Sequence, residues 1–343
     1  MTIPLLLGTY TRATSQGLYM IDFDQQSTTL ANLQLIDDIG SPTYVTTGYA
    51  GKVIFTIVNE GDQGGVGTLV KQADGSYQRQ NTLLEDGPAP CYVAFDQERE
   101  LLYEANYHTG ALSIYQTTAD GQLTLTDRIQ HAGSSVHQNQ DGPHAHYFDL
   151  DVAGKFALSC DLGVDEVSTY RISETGKAEE ISTLSVKPGT GPRHLTFHPN
   201  GEYVYIFGEL SSEILVGTYD QASGEIKLIQ TLSTLPGDFN GESSGAAIRI
   251  SNDGQFLYAS NRGHDSIVVY HIQEDFTLKV IQWAETHGQN PRDFNFTPDE
   301  QFIICGHQHT DTLSLFQRDV SSGKLSLLST DTIAPEVVCV TPL

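Results

Sequence analysis

The residues best equipped for chemistry in this 343-residue chain open one short stretch, Gly191-Pro192-Arg193-His194-Leu195-Thr196-Phe197-His198-Pro199-Asn200-Gly201. An arginine and a histidine stand side by side there. An apolar run, Tyr203-Val204-Tyr205-Ile206-Phe207, then leads to a lone acid, Glu209. Arg193 and Glu209 lie too far apart for one helix face. On an antiparallel hairpin they meet, one opening the first strand and the other ending the second. A guanidinium recognises carboxylate or phosphate, and a carboxylate or imidazole moves protons. The stretch therefore pairs anion recognition with proton transfer.

Positioning these groups requires a scaffold, and the scaffold is written as a repeat. Ser41-Pro42-Thr43-Tyr44-Val45, Ala89-Pro90-Cys91-Tyr92-Val93, Gly142-Pro143-His144-Ala145-His146, Gly191-Pro192-Arg193-His194-Leu195, Asn290-Pro291-Arg292-Asp293-Phe294 and Ala334-Pro335-Glu336-Val337-Val338 align on their prolines. A copy without proline, Ser244-Gly245-Ala246-Ala247-Ile248, fills the one double-length interval. The stretch after Pro335, joined to the stretch before Pro42, supplies one more interval of the same length, so the spacing closes as a circle. Apolar runs are short, rich in Val, Ile, Tyr, Phe and Thr, and broken by Asp120-Gly121, Asn200-Gly201 and Asp253-Gly254 turns. That is an all-β signature. Within the fourth unit the expected strands are 193–197, 203–207, 214–219 and 227–230. Seven such units predict a seven-bladed β-propeller of four-stranded blades, one domain over 1–343. The C-terminal 337–340 strand is expected to join N-terminal strands at 5–9, 17–21 and 33–36 in a shared last blade. The WD40 signature is absent: Trp283 is the only tryptophan and no Trp-Asp pair occurs.

This geometry brings the start of each first strand and the end of each second strand to one mouth of a central channel. There the chain supplies Tyr44, Tyr92, His144, His146, Arg193, Arg292 and Asp293 from the first set. The second set gives Asn106-Tyr107-His108, Asp161, Glu209, Asn261-Arg262 and His307-Gln308-His309. Only 18 lysines and arginines exist in the chain, yet Arg193, Arg262 and Arg292 come from consecutive blades four, five and six. His194, by strand alternation, faces away from Arg193 and reads as a packing residue. His198 reads as a turn residue. His307 and His309 are two histidines, too few for a zinc site. Arg193 with Glu209 can also be read as a simple ion pair bridging two strands. Two longer loops, 131–141 and 236–243, flank the Arg193 blade and are expected to act as a lid.

Composition excludes other classes. The net charge is −25 and the pI about 4.6, so nucleic acid and anionic membrane are not expected partners. The first residues lack a basic region, and Leu5-Leu6-Leu7 is too short for a leader core or a span. The scattered cysteines, Cys91, Cys160, Cys305 and Cys339, read as reduced thiols of a cytoplasmic protein.

Gly191-Pro192-Arg193-His194, Phe197-His198-Pro199, Glu209-Leu210, Asp161-Leu162-Gly163, Ser260-Asn261-Arg262-Gly263-His264 and Pro291-Arg292 together resemble the seven-bladed propeller lactonase family. That family includes the propeller-type 6-phosphogluconolactonases of carbohydrate metabolism (the pentose phosphate pathway) and the carboxy-muconate lactonising enzymes. The resemblance spans all seven units. It implies site residues at His144, Arg193, Glu209 and Arg262, a small anionic lactone as partner, and no cofactor or metal. Arg292, His146, Asp161 and Asn261 are the candidate substrate-binding positions. Two departures stand out: Gly208 where relatives carry Asn, and Asp293 where Gly is common. The expected reaction is hydrolysis of a sugar-acid lactone by direct water attack, since no Ser or Cys nucleophile motif is present. Glu209 or His144 serves as base, Arg193 stabilises the oxyanion, and Arg262 with Arg292 holds the substrate anion. A lactonising reaction in the reverse sense, a metal-dependent gluconolactonase and a non-enzymatic binding platform are the alternatives.

Overall fold

The computed structural model describes residues 1–343 and contains 28 strands and no helix. No helix is therefore long and apolar enough to cross a membrane. The strands form seven four-stranded antiparallel sheets, a seven-bladed β-propeller. Blade four is a meander of Pro192–Phe197, Tyr203–Gly208, Glu213–Tyr219 and Ile226–Ser233. These strands run one to four residues longer than expected, because the ladders continue past the apolar runs through Pro192, Gly208, Glu213 and Thr231–Ser233.

Side-chain patterning explains why each blade has four strands. The second strand of blade four is buried on both faces from Val204 to Gly208, and the third strand is nearly so. The fourth strand is largely exposed. Inner strands sandwiched between neighbouring sheets read as continuous apolar runs, and the outer strand meets water. Between blades four and five, Tyr205, Phe207, Ile214 and Val216 pack against Ile248, Leu257, Ala259, Val268 and Tyr270. Gly245 permits this approach: a Cβ there would lie 2.5 Å from the Phe207 ring.

Chain contacts divide the molecule into two compact units. One comprises Met1–Val93, Thr117–Leu123 and Ala284–Leu343; the other comprises Ala94–Gln116 and Thr124–Trp283. The first holds the joint between the termini. Val337–Pro342 pairs with Thr2–Thr9, which continues into Leu18–Asp24 and Thr29–Asp37. Leu5, Leu7, Ile21 and Phe23 pack with Ile304, Leu315, Val337 and Val340 of the same unit. The second unit holds blades three to five. All four cysteines are free of disulfides, and burial pushes the Cys160 thiol well above its usual range.

Candidate active site

The Arg193–Glu209 meeting expected from the hairpin is present. Pro192 lies opposite Gly208, and Arg193 Nε lies 2.9 Å from Glu209 Oε2. The same carboxylate oxygen takes a second guanidinium: Arg262 NH2, from the end of blade five's second strand, is also 2.9 Å away. Each arginine is further tied to backbone. Arg193 NH1 donates to Ala246 O at 2.7 Å, and Arg262 NH2 donates to Gly245 O at 2.5 Å.

Those two carbonyls are available for a reason. Where blade five's first strand meets its second, the register slips between Gly245 and Ile248. A bulge leaves backbone groups outside the ladder. The arginines take the carbonyls, and Ser260 Oγ accepts from Ala247 N at 3.0 Å. Two arginines against one carboxylate leave a net positive charge of one. The Arg193 side chain is 4% exposed, Arg262 12% and Glu209 17%, so this charge is poorly screened.

A bulge also corrects the reading of His194. The register slips between Pro192 and His194, so Arg193 is the extra residue and strict alternation fails. The His194 ring does not face away. Its Nε2 lies 3.4 Å from Arg193 NH1 and 3.2 Å from His146 Nδ1. Arg193, His194 and His146 are each nearly fully buried.

Blade three requires a second correction. Aligning the repeats on proline sets His144 beside Arg193, but the structure shifts blade three by two residues. Leu162 N donates to His144 O as Glu209 N donates to Gly191 O. The extra residue of blade three's bulge is His146. His146 thus stands where Arg193 stands one blade later, and His144 stands where Gly191 does.

His144 sits in the loop just ahead of its strand. Its ring stacks on Tyr107 at 4.3 Å and 11°, with Nδ1 2.7 Å from Tyr107 O and Nε2 3.3 Å from Asp141 Oδ1. The His146 ring meets the same Tyr107 edge-on at 6.0 Å. Tyr107 is therefore the shared wall of both histidines, a role the sequence did not suggest. The available signal was its place just past a second strand in the blade before His144.

Asp161 and Asn261 hold this architecture together. Asp161 Oδ1 accepts from His144 N at 2.7 Å and Gly163 N at 2.9 Å. Its Oδ2 lies 2.6 Å from His131 Nδ1, and His131 Nε2 lies 2.8 Å from the Tyr170 hydroxyl. Burial pushes the Tyr170 hydroxyl up to about 12. The hydroxyl therefore keeps its proton. Asn261 is fully buried, accepting from Thr234 Oγ1 at 2.6 Å and donating to Thr234 O at 3.1 Å. The loop over 131–141 is pinned rather than loose: Ser135 Oγ donates to Asp165 at 2.6 Å, and buried Gln140 donates to Leu162 O. In the loop over 236–243, Phe239 meets the His264 ring edge-on at 4.7 Å.

Gly163 makes a sharp test of how His144 is placed. A Cβ at Gly163 would lie 1.9 Å from Gly142 O and 2.7 Å from His144 N. Both are backbone atoms that cannot swing aside. Gly163→Ala is expected to displace His144, lower kcat by about 10²-fold and cost roughly 1–3 kcal/mol of stability. Steady-state kinetics beside a thermal melt checks both.

The matching family model, described as Lactonase, 7-bladed beta-propeller, covers residues 4–342. The chain belongs to this lactonase family. A Bacillus subtilis protein named 6-phosphogluconolactonase is 36% identical over 337 residues, covering 97% of this chain and 96% of that protein. Among solved structures, a Lactobacillus plantarum protein superposes with a TM-score of 0.97 at 41% identity, covering 100% of both chains. The periplasmic gluconolactonase of Pseudomonas aeruginosa gives 0.92 at 25% identity, covering 100% of this chain and 99% of that one.

Within this lactonase-family chain, Arg292, Asp293 and His307 lie in the other compact unit. Arg292 is the extra residue of blade six's bulge, with its guanidinium 5.7 Å from the Tyr10 ring. Arg12 covers the same ring at 3.8 Å. Asp293 Oδ2 accepts from Val340 N at 2.9 Å, which ties blade six to the C-terminal strand. Gly208 has no room for the relatives' asparagine, since a Cβ there would lie 2.7 Å from Ser211 Oγ and 2.8 Å from Thr190 O. His307 is fully buried with Nδ1 3.0 Å from Thr312 O. No group of three or more His, Cys, Asp or Glu side chains is placed to hold a metal ion.

Proposed function

We propose that this protein hydrolyses the ester bond of a sugar-acid lactone, with 6-phosphogluconolactone as its leading substrate. The observation that carries the reading is the pair of buried arginines sharing the Glu209 carboxylate. Ester hydrolysis builds negative charge on the carbonyl oxygen, and preorganised cations that need not reorient stabilise it most. Glu209 fixes the two guanidiniums at one point. Glu209 or His144 serves as the base that activates water. Arg193 faces the developing oxyanion, and Arg262 holds a substrate anion. The 36% identity to the B. subtilis 6-phosphogluconolactonase supports the phosphorylated substrate. The similarity to the P. aeruginosa gluconolactonase supports lactone chemistry without the phosphate. Cysteines outside any disulfide fit a cytoplasmic setting.

The test is hydrolysis of freshly prepared 6-phosphogluconolactone and of gluconolactone, with spontaneous opening subtracted. Wild type is expected to accelerate the phosphorylated lactone. Arg193→Met is expected to lower kcat by about 10²–10³-fold while the protein stays folded. Equal rates with wild type and buffer on both lactones would overturn the reading.

A further inference from the structure

The arginine pair of blades four and five has a counterpart in blade six and the last blade, all of it inside the unit that holds both termini. Arg292 occupies the bulge in blade six that Arg193 occupies in blade four. Gln308 N donates to Asn290 O at 3.2 Å as Glu209 N donates to Gly191 O at 2.7 Å, so Gln308 stands in the place of Glu209. Tyr10 N donates to Glu336 O at 3.2 Å in the same way, which sets Tyr10 in that place in the last blade. Arg193 and Arg262 gather on a carboxylate; Arg12 and Arg292 gather on a ring. Their guanidinium carbons lie 3.8 and 5.7 Å from the centre of Tyr10.

The loop that carries Arg12 is fixed from below. Buried Glu336 turns its carboxylate to that loop, and Oε2 accepts from Arg12 N at 3.2 Å, Ala13 N at 2.9 Å, Thr14 N at 3.0 Å and Ser15 N at 3.1 Å. Four successive N–H groups closed on one oxygen make a backbone nest, and their dipoles offset the Glu336 charge. The neighbouring acids also hold backbone: Asp311 accepts from Glu336 N and Asp293 from Val340 N, each at 2.9 Å. The Arg12 side chain itself is exposed and makes no ion pair. A guanidinium laid over a ring keeps its N–H donors in its own plane, where an oxyanion can meet them. A loop already ordered loses little entropy when it binds. Two cations drawn to one uncharged ring also repel each other, and an anion between them relieves that repulsion. Phosphate suits the pair, because it carries two charges and offers separate oxygens to each fork.

We infer that Arg12 and Arg292, organised by Tyr10, form a binding site for a phosphate group, supplied as free phosphate or as a phosphate monoester. The site is independent of the lactonase reading.

The experiment is calorimetric titration at constant ionic strength with inorganic phosphate, with 6-phosphogluconate and, as a control without phosphate, with gluconate. Wild type is expected to bind a phosphate ligand saturably. Arg12→Leu and Arg292→Leu are each expected to weaken that binding by about 10–10²-fold, the range for a charge-assisted hydrogen bond. Tyr10→Leu is expected to weaken it about 2–5-fold, as for an exposed cation–π contact. Arg12→Lys keeps the charge without the fork and is expected to recover only part of the loss. Arg12 is exposed on its loop, so its variants are expected to melt as wild type does. Arg193→Met is expected to retain the binding component that Arg12→Leu removes, which separates this site from the one at Glu209. Tighter binding of 6-phosphogluconate assigns the site to a monoester, and tighter binding of inorganic phosphate assigns it to the free ion. Phosphate affinity unchanged in Arg12→Leu, no saturable binding to wild type, or equal affinity for gluconate would overturn the inference. The titration needs no turnover, so failure to open a lactone removes the functional reading and leaves this result standing.

Discussion

Glu209→Leu is expected to destabilise the protein by about 3–5 kcal/mol, the range for stripping one partner from a buried ion pair. Leucine removes the carboxylate that Arg193 and Arg262 share. The hydrogen bonds to Ala246 O and Gly245 O remain, and neither carbonyl carries the charge that the carboxylate supplied. Glu209→Gln separates charge from shape. Its amide oxygen can still accept from Arg193 Nε and Arg262 NH2, so the stability loss is expected to be smaller. The arginines are no longer drawn to one point, and kcat is expected to fall about 10²–10³-fold. Chemical denaturation beside steady-state rates distinguishes the two. Combining Glu209→Leu with Arg262→Leu is expected to return roughly 0.5–3 kcal/mol as a coupling energy. Strictly additive losses would show that the carboxylate does not link the two arginines energetically.

The second large effect concerns the joint between the termini. A chain ending at Glu336 lacks the strand Val337–Pro342. Val337, Val338, Cys339 and Val340 are all buried, and Leu5–Gly8 lose their ladder partners. Four buried side chains at about 1.5–3 kcal/mol each rival the whole stability of a typical domain, about 5–15 kcal/mol. The truncated chain is expected to lose cooperative unfolding and near-ultraviolet circular dichroism. A synthetic peptide of residues 335–343 is expected to restore both. Removing only Leu343, whose N–H donates to Pro4 O at 3.0 Å, is expected to change little. Cooperative unfolding without the strand would show that the sheet does not depend on this joint.

Much of this molecule was legible in its sequence because propellers repeat. The proline spacing, the turn glycines and the circular count led to seven four-stranded blades with a shared last blade. Alternation along a regular hairpin predicted that Arg193 and Glu209 would meet. Alternation also misdirected the reading of His194, because a bulge leaves no mark in residue type. Pro143 misled for a related reason. It lies in the loop before its strand, whereas Pro192 opens its strand, so alignment on proline put His144 in the place that His146 occupies. Asn261 read as a pocket residue from its position at a strand end. Only packing shows that Thr234 engages both ends of its amide. The Arg262–Glu209 contact crosses between blades, and a sequence repeat carries no distance across that gap.

The recurrent slip at the first strand has a consequence for substitution at that place. In five blades residues of this strand stand outside the ladder: His146, Arg193, Ala246 with Ala247, Arg292 and Val338. An ordinary strand position is bound to its neighbours, since inserting or shifting one residue turns the others over. A residue in the slip carries no such obligation. An imidazole, a guanidinium, a methyl group and an isopropyl group already occupy the equivalent place in different blades. A substitution there is therefore expected to leave the register of the rest of the ladder unchanged.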